Sequence, residues 1–123
     1  MKYFSALFAA TASLLLVISS AKAEIVNLEC RSTGAPADYP YLIFWIDFNQ
    51  KTITSGSARD RQILAGVPLT TVPVRITPGA FDFSTSMGAV TINRMTGASI
   101  WYGPPTQSFQ CSKGTMPFPT SKF

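Results

Sequence analysis

Histidine is absent from the chain. That absence removes Ser-His-Asp and Cys-His machinery, any imidazole base and every zinc site that relies on imidazole. Charge is sparse: 10 Lys and Arg stand against 6 Asp and Glu, and charged residues make up 13% of 123. Lys2 and Lys22 lie in an N-terminal segment that reads as an export signal, so the remainder has eight basic against six acidic residues, a net of +2. So small an excess argues against a nucleic-acid partner, which needs a dense basic face. Only two cysteines occur, and they do not form a Cys-x-x-Cys pair, so a thioredoxin-like redox centre is excluded. No Asp-rich loop has the oxygen density of a calcium site. Neither a metal nor a cofactor is expected.

What is present begins with the export pattern. Met1-Lys2 supplies a positive start, and Leu7 to Ile18 supplies an apolar stretch. Ala21-Lys22-Ala23 places small residues around a cleavage site. The apolar stretch is about a dozen residues, short of the ~20 that a spanning helix needs. Residues 1–23 therefore read as a cleaved signal peptide rather than an anchor. Residue 24 is Glu24 and not Cys, which argues against lipid attachment at that junction. The expected product is periplasmic or secreted, with no membrane span after cleavage. In an exported chain, two cysteines favour a bridge. Cys30 and Cys111 enclose about 80 residues, and closing a loop that long stabilises by roughly 4–5 kcal/mol in the loop-entropy account. Such a bridge places the first and last strands side by side.

From residue 24 onward the pattern is β throughout. Val26, Leu28 and Cys30 alternate with Asn27, Glu29 and Arg31. The strongest signal is Tyr41 to Phe48, where Leu42, Phe44, Ile46 and Phe48 make one fully apolar face. Asn49-Gln50-Lys51 turns the chain into Thr52-Ile53-Thr54. Ser55 to Asp60 is small and polar and reads as loop, with a short strand over Arg61 to Leu64. Val72, Val74 and Ile76 alternate, and Pro73 marks an edge or a bulge because proline cannot donate to a ladder. Phe81 and Phe83, then Val90 and Ile92, then Ala98 to Tyr102 and Ser108 to Ser112 supply the later strands, with Met95-Thr96-Gly97 as a hairpin link. The expectation is an all-β antiparallel meander of seven to eight short strands, a barrel or barrel-like sandwich with its ends joined by the disulfide. It forms a single β domain over residues 24–112, followed by a flexible tail over residues 113–123 rich in Pro and Gly. Strands of five to seven residues are shorter than the ~9–11 of outer-membrane barrels.

Aromatics mark the binding candidates. Trp101-Tyr102-Gly103-Pro104-Pro105 joins two rings to a stiff loop, and Tyr39 and Trp45 fall where a barrel end would gather them. Rings at a rim stack on sugars or receive a peptide. Arg94, in Asn93-Arg94-Met95-Thr96-Gly97, reads as a recognition residue or, structurally, as a cross-strand partner of Asp82. Arg59-Asp60-Arg61 is a solvated loop triplet that can also fork a carboxylate or phosphate. Asp47 and Asp82 are the two carboxylates that a hydrolase would need at a fixed separation. The plainer reading is that Asp47 supports the turn at Asn49 and that Asp82 faces solvent.

Two resemblances attach to these residues. Ile46-Asp47-Phe48-Asn49, Thr52-Ile53-Thr54, Ile92-Asn93-Arg94-Met95-Thr96-Gly97 and the closing Cys111 resemble, over residues 41–112, a class of small exported bacterial β domains of unknown function with an Asn/Asp-Arg-x-Thr-Gly and Cys layout. That likeness implies a periplasmic β domain and supplies no activity. The size, signal, barrel pattern and end-tying bridge also resemble periplasmic inhibitors of C-type lysozyme. Their Ser-Gly-x-x-Tyr loop has no counterpart here, so no inhibitory residue is carried over. The expected function is a non-enzymatic envelope binding or interaction domain, its ligand or envelope protein partner unknown. The alternatives are an inhibitor of a lysozyme-type wall hydrolase and a small hydrolase using the aspartate pair.

Overall fold

The computed structural model describes residues 24–119, Met87 excepted. The signal peptide expected at residues 1–23 lies outside the described residues, as do residues 120–123. The strands are β1 (Ile25–Ser32), β2 (Tyr41–Asp47), β3 (Thr52–Arg59), β4 (Gln62–Ile63), β5 (Thr70–Pro73), β6 (Arg75–Ile76), β7 (Ala80–Thr85), β8 (Gly88–Asn93), β9 (Ala98–Trp101) and β10 (Gln107–Lys113). No helix occurs among the described residues. One antiparallel sheet runs in the order β4-β3-β2-β1-β10-β9-β8-β7-β6, with β5 also on β3, and curls into a half-barrel. The fold is all-β, as the alternation requires.

The two borders of the sheet meet in one segment. β5 pairs with the first half of β3, with Ile53 opposite Val72, while β6 pairs with β7, with Ile76 opposite Phe81. Only Val74 separates β5 from β6. Pro73 stands at this handover, where a residue without N–H loses no ladder bond. The Val74 N–H resumes contact by donating to the Lys51 carbonyl at 3.0 Å. At the centre of the sheet β1 pairs with β10, and Cys30 sits directly opposite Cys111. The two form a disulfide, so the first and last strands are joined as their spacing implied.

Alternate side chains fill the concave interior. Phe48 and Phe81 meet edge to face at 5.8 Å between centroids, Phe44 and Phe83 at 5.5 Å, and Trp101 leans on Phe109 at 6.4 Å. These three pairs succeed one another along the barrel, each within the favourable range for aromatic contacts. Ile46, Ile53, Ile92 and Cys30 close the gaps and are almost wholly buried. Connections alternate between two ends because neighbouring strands run oppositely. Residues 33–40, 64–69 and 102–106 gather at one end, the mouth, and residues 48–51, 77–79 and 94–97 gather at the other, the base.

Three features differ from the expectation. Among the described residues the count is ten strands, because the segment around Val74 divides in two; the short strand expected over Arg61 to Leu64 is present as Gln62–Ile63. Residues 55–59 are not loop: 55–58 pair with β2, with Gly56 opposite Ile43 and Ala58 opposite Tyr41, and Arg59 pairs with Gln62 of β4. Ladder bonds to a neighbour override the weak strand preference of Ser and Gly. The third difference is the tail. Lys113 ends β10, and residues 114–119 lie over the outer face of β1 and β2 instead of trailing free. Asn27 is the anchor. Its Nδ2 donates to the Phe44 carbonyl at 3.0 Å, its Oδ1 accepts the Met116 N–H at 3.0 Å, and its carbonyl accepts the Gly114 N–H at 2.9 Å. Trp45 Nε1 donates to the Met116 carbonyl at 3.0 Å, and Phe118 packs edge-on against its ring. β2 is thereby buried on both faces, with Tyr41, Ile43 and Trp45 outside and Leu42, Phe44 and Ile46 inside.

Replacing Cys30 and Cys111 together by alanine should lower stability by about 2–5 kcal/mol, read from the urea midpoint; an unmoved midpoint would mean that the bridge is thermodynamically idle. Removing residues 114–123 should uncover Trp45. In a Trp101→Phe background its emission should shift to the red, with a loss of about 1–3 kcal/mol for the orphaned Asn27 and Trp45 groups. Unchanged emission would show that the tail does not cover the ring in solution.

Candidate functional site

The mouth is hollow for a reason visible in the register. On the inner face of β2, Leu42 and Phe44 are large, but their partners on β3 are Ser57 and Ser55. Two hydroxymethyl groups leave unfilled what two apolar side chains would occupy. The resulting inner chamber has a volume of about 270 Å3, walled by Leu42, Phe44, Phe83, Val90 and Trp101 and roofed by Val67 and Pro68 of the loop before β5. Leu69 of that loop rests against Gly56, its Cδ2 2.6 Å from where a Cβ would sit.

A second hollow of about 490 Å3 opens beside the first, lined by Ser32, Thr33, Tyr39, Tyr41, Gln107 and Ser108 among others. Leu42, Ser57 and Trp101 line both. Trp101 is set in place by a close approach of backbones. Gly88, at φ +137°, faces Gly103 so tightly that a Cβ there would lie 2.9 Å from the Gly103 backbone and 3.2 Å from Trp101 Nε1. Among the described residues, no charged side chain lines either chamber. Charge collects next door, where Asp38, Arg59 and Asp60 border a separate open hollow with Tyr39.

Tyr39 and Trp101 therefore share one concavity, as a binding site built on them requires. Tyr39 is 56% exposed at its rim. Tyr102 is 55% exposed at the same end but lines neither chamber; its N–H donates to the Ala89 carbonyl at 2.8 Å. Trp45 does not join them. It points to the opposite face of β2 and is 1% exposed under the C-terminal segment. Periodicity places it on the mixed face, but only the tail's path shows that this face is covered.

Arg94 lies at the base, away from the mouth, and the expected ion pair with Asp82 does not form. Its guanidinium stands 4.7 Å from the Phe81 ring centroid and 5.5 Å from that of Phe48, and Nη1 donates to the Thr77 carbonyl at 2.7 Å. It caps the aromatic interior as a cation over two rings. Asp82 instead sits across from Thr91 and accepts its hydroxyl at 2.8 Å. The hairpin around Arg94 is a structural device. Asn93 Oδ1 accepts the N–H groups of Met95 and Thr96 at 2.8 and 3.1 Å, the side-chain turn that asparagine favours. Gly97, at φ +82°, takes the left-handed position, and a Cβ there would collide with the Cys111 carbonyl. The motif thus abuts the disulfide strand.

Neither aspartate of the hydrolase reading reaches a cavity. Asp47 Oδ1 accepts the N–H groups of Asn49 and Gln50, both at 2.9 Å, which is turn support. Arg59-Asp60-Arg61 is the tip of the β3–β4 hairpin. Asp60 and Arg61 both have positive φ, at 51° and 63°, the geometry of a tight primed turn. Arg61 is spent on structure, its N–H to Tyr41 Oη at 3.2 Å and its Nη2 to Thr115 Oγ1 at 3.0 Å.

No family model, curated protein or solved structure matches the chain. The functional reading therefore rests on the mouth itself. Sequence reasoning missed Ser55, Ser57, Val67 and Gln107. The available signal was phase: Ser55 and Ser57 continue the inward set begun by Ile53, so polar residues stood at core positions.

Gly97→Ala should cost about 1–3 kcal/mol, combining left-handed backbone with a collision. Arg94→Ala should cost no more than about 1 kcal/mol, the worth of an exposed cation over rings. Urea titration of both variants checks the order, and a costlier Arg94 change would contradict the capping role.

Proposed function

We propose that this protein is an exported, non-enzymatic domain of a bacterial envelope that holds a ligand in the mouth of its half-barrel. The observation that carries the reading is the meeting of Tyr39 and Trp101 in one open concavity, contiguous with an apolar chamber. An aromatic-lined hollow with a few hydroxyl and amide groups has the composition of small-molecule sites, and both chambers fall near their size range of ~300–1,000 Å3. The Cys30–Cys111 bridge is compatible with an oxidising compartment, which accords with the export pattern of residues 1–23. The hydrolase alternative gains nothing from the geometry, since Asp47 and Asp82 are each committed to local hydrogen bonds.

Native mass spectrometry of the bridged protein, after exposure to a bacterial envelope extract, should show one reproducible small-molecule adduct. Trp101→Leu and Tyr39→Ser should each reduce its occupancy several-fold without changing the protein's fold. An adduct that persists in both variants, or none in the parent protein, would sink the reading.

A further inference from the structure

The two chambers of the mouth differ in chemistry in a way that describes an occupant. The inner one is mostly apolar, with Ser55, Ser57, Thr70, Thr85 and Ser86 supplying its few hydroxyls, and its 270 Å3 corresponds to roughly nine waters at ~30 Å3 each. Water against the wall of Leu42, Phe44, Phe83 and Val90 finds few partners on that side, so an apolar group that displaces it gains free energy. The outer chamber offers the hydroxyls of Ser32, Thr33 and Ser108 and the amide of Gln107 around the rings of Tyr39 and Trp101. These groups both donate and accept. Because Leu42, Ser57 and Trp101 border both spaces, one molecule can extend through the two.

Charge decides the class of that molecule. An ionised group drawn into either chamber would give up hydration and find no opposite charge in its lining, which disfavours it. Asp38, Arg59 and Asp60 border the neighbouring hollow, which meets the outer chamber at Tyr39 and Pro40, and none of the three lines either chamber itself. Resting on the mouth as the binding site, we infer that its ligand is an uncharged amphiphile. A single short acyl chain, or an apolar body of that bulk, fills the inner chamber. A neutral head carrying hydroxyl, ester or amide groups occupies the outer one. The paired chains and charged head of a membrane phospholipid fit neither the volume nor the lining.

The probe is 1-octanoylglycerol, held below its micellar concentration and titrated into the 15N-labelled, bridged protein. Comparisons are octanoate and octyltrimethylammonium at pH 7, and glycerol alone. The expected result is a saturable shift of the Trp101 indole N–H and the Gln107 side-chain amide. The Trp45 indole, bonded to Met116 on the other face of β2, should stay still and serve as the internal reference. Both charged amphiphiles should bind at least ten-fold more weakly, and glycerol should not bind. Ser57→Phe, which fills the boundary between chambers, should weaken binding at least ten-fold. Val67→Ser, a milder change in an exposed loop, should weaken it about three-fold and guards against a folding failure of the first variant. Equal binding of a charged amphiphile overturns the neutral class while leaving the mouth as a binding site. Binding undiminished in both variants, with the Trp101 signal still moving, overturns the placement of the acyl chain in the inner chamber. If no probe moves Trp101 or Gln107, the amphiphile is overturned, and the adduct experiment decides separately whether the mouth binds anything.

Discussion

Strands β1 and β10 lie near opposite ends of the described chain, 81 residues apart at their cysteines, yet Cys30 and Cys111 face each other at the middle of the sheet. Every other neighbour in the order is a local hairpin or short connection, apart from the border strand around Val74. A meander of hairpins alone would leave β1 and β10 as open edges, with unpaired N–H and C=O groups inviting other strands. Joining them turns two edges into the centre of the sheet and brings the remaining borders, β3 and β7, within reach of one segment. The bridge reduces the entropy of the unfolded chain for the contact with the greatest loop-closure cost. Curvature, aromatic interior and mouth follow from that closure.

The same pairing sets up the outer face. β10 delivers the chain beside β1, so the residues after Lys113 emerge next to Asn27. Buried amide groups are costly unless bonded, and the tail supplies partners: Asn27 Oδ1 and carbonyl accept the Met116 and Gly114 N–H groups and Trp45 Nε1 donates to the Met116 carbonyl, while Asn27 Nδ2 is satisfied by Phe44. The tail over Trp45 and the Arg31 guanidinium over the Tyr41 ring explain why these large side chains face away from the barrel axis and are still buried. Base and mouth then diverge in character. The base is sealed by Arg94 over two rings and by asparagine and aspartate turns, whereas the mouth is left open because β3 presents serine where it presents isoleucine lower down.

Strand positions and the bridge were legible in the residues themselves. Alternation in Tyr41 to Phe48, Phe81 to Phe83 and Val90 to Ile92 is a direct consequence of a two-residue period over a half-buried surface, and two cysteines offer one pairing. Glycine and proline located most of the turns. Residues 55–59 were misread because their order comes from neighbours on β2, β4 and β5, and side-chain type carries no trace of a ladder bond. The tail was misread likewise: proline and glycine describe its freedom in isolation, while the groups that hold it belong to residues some 70 to 89 positions away.

Of the candidate residues, Tyr39 and Trp101 were placed together, whereas Trp45 and Arg94 were dispersed to the outer face and the base. Local sequence determines which side chains alternate and which turns can form, since those depend on φ, ψ and the nearest few residues. It determined here an all-β chain and one cross-link. Which rings converge, which face is covered and whether Arg94 meets a carboxylate or two aromatic rings depend on register and closure across the sheet. Those are long-range matters, settled only when the curled sheet brings distant strands into contact.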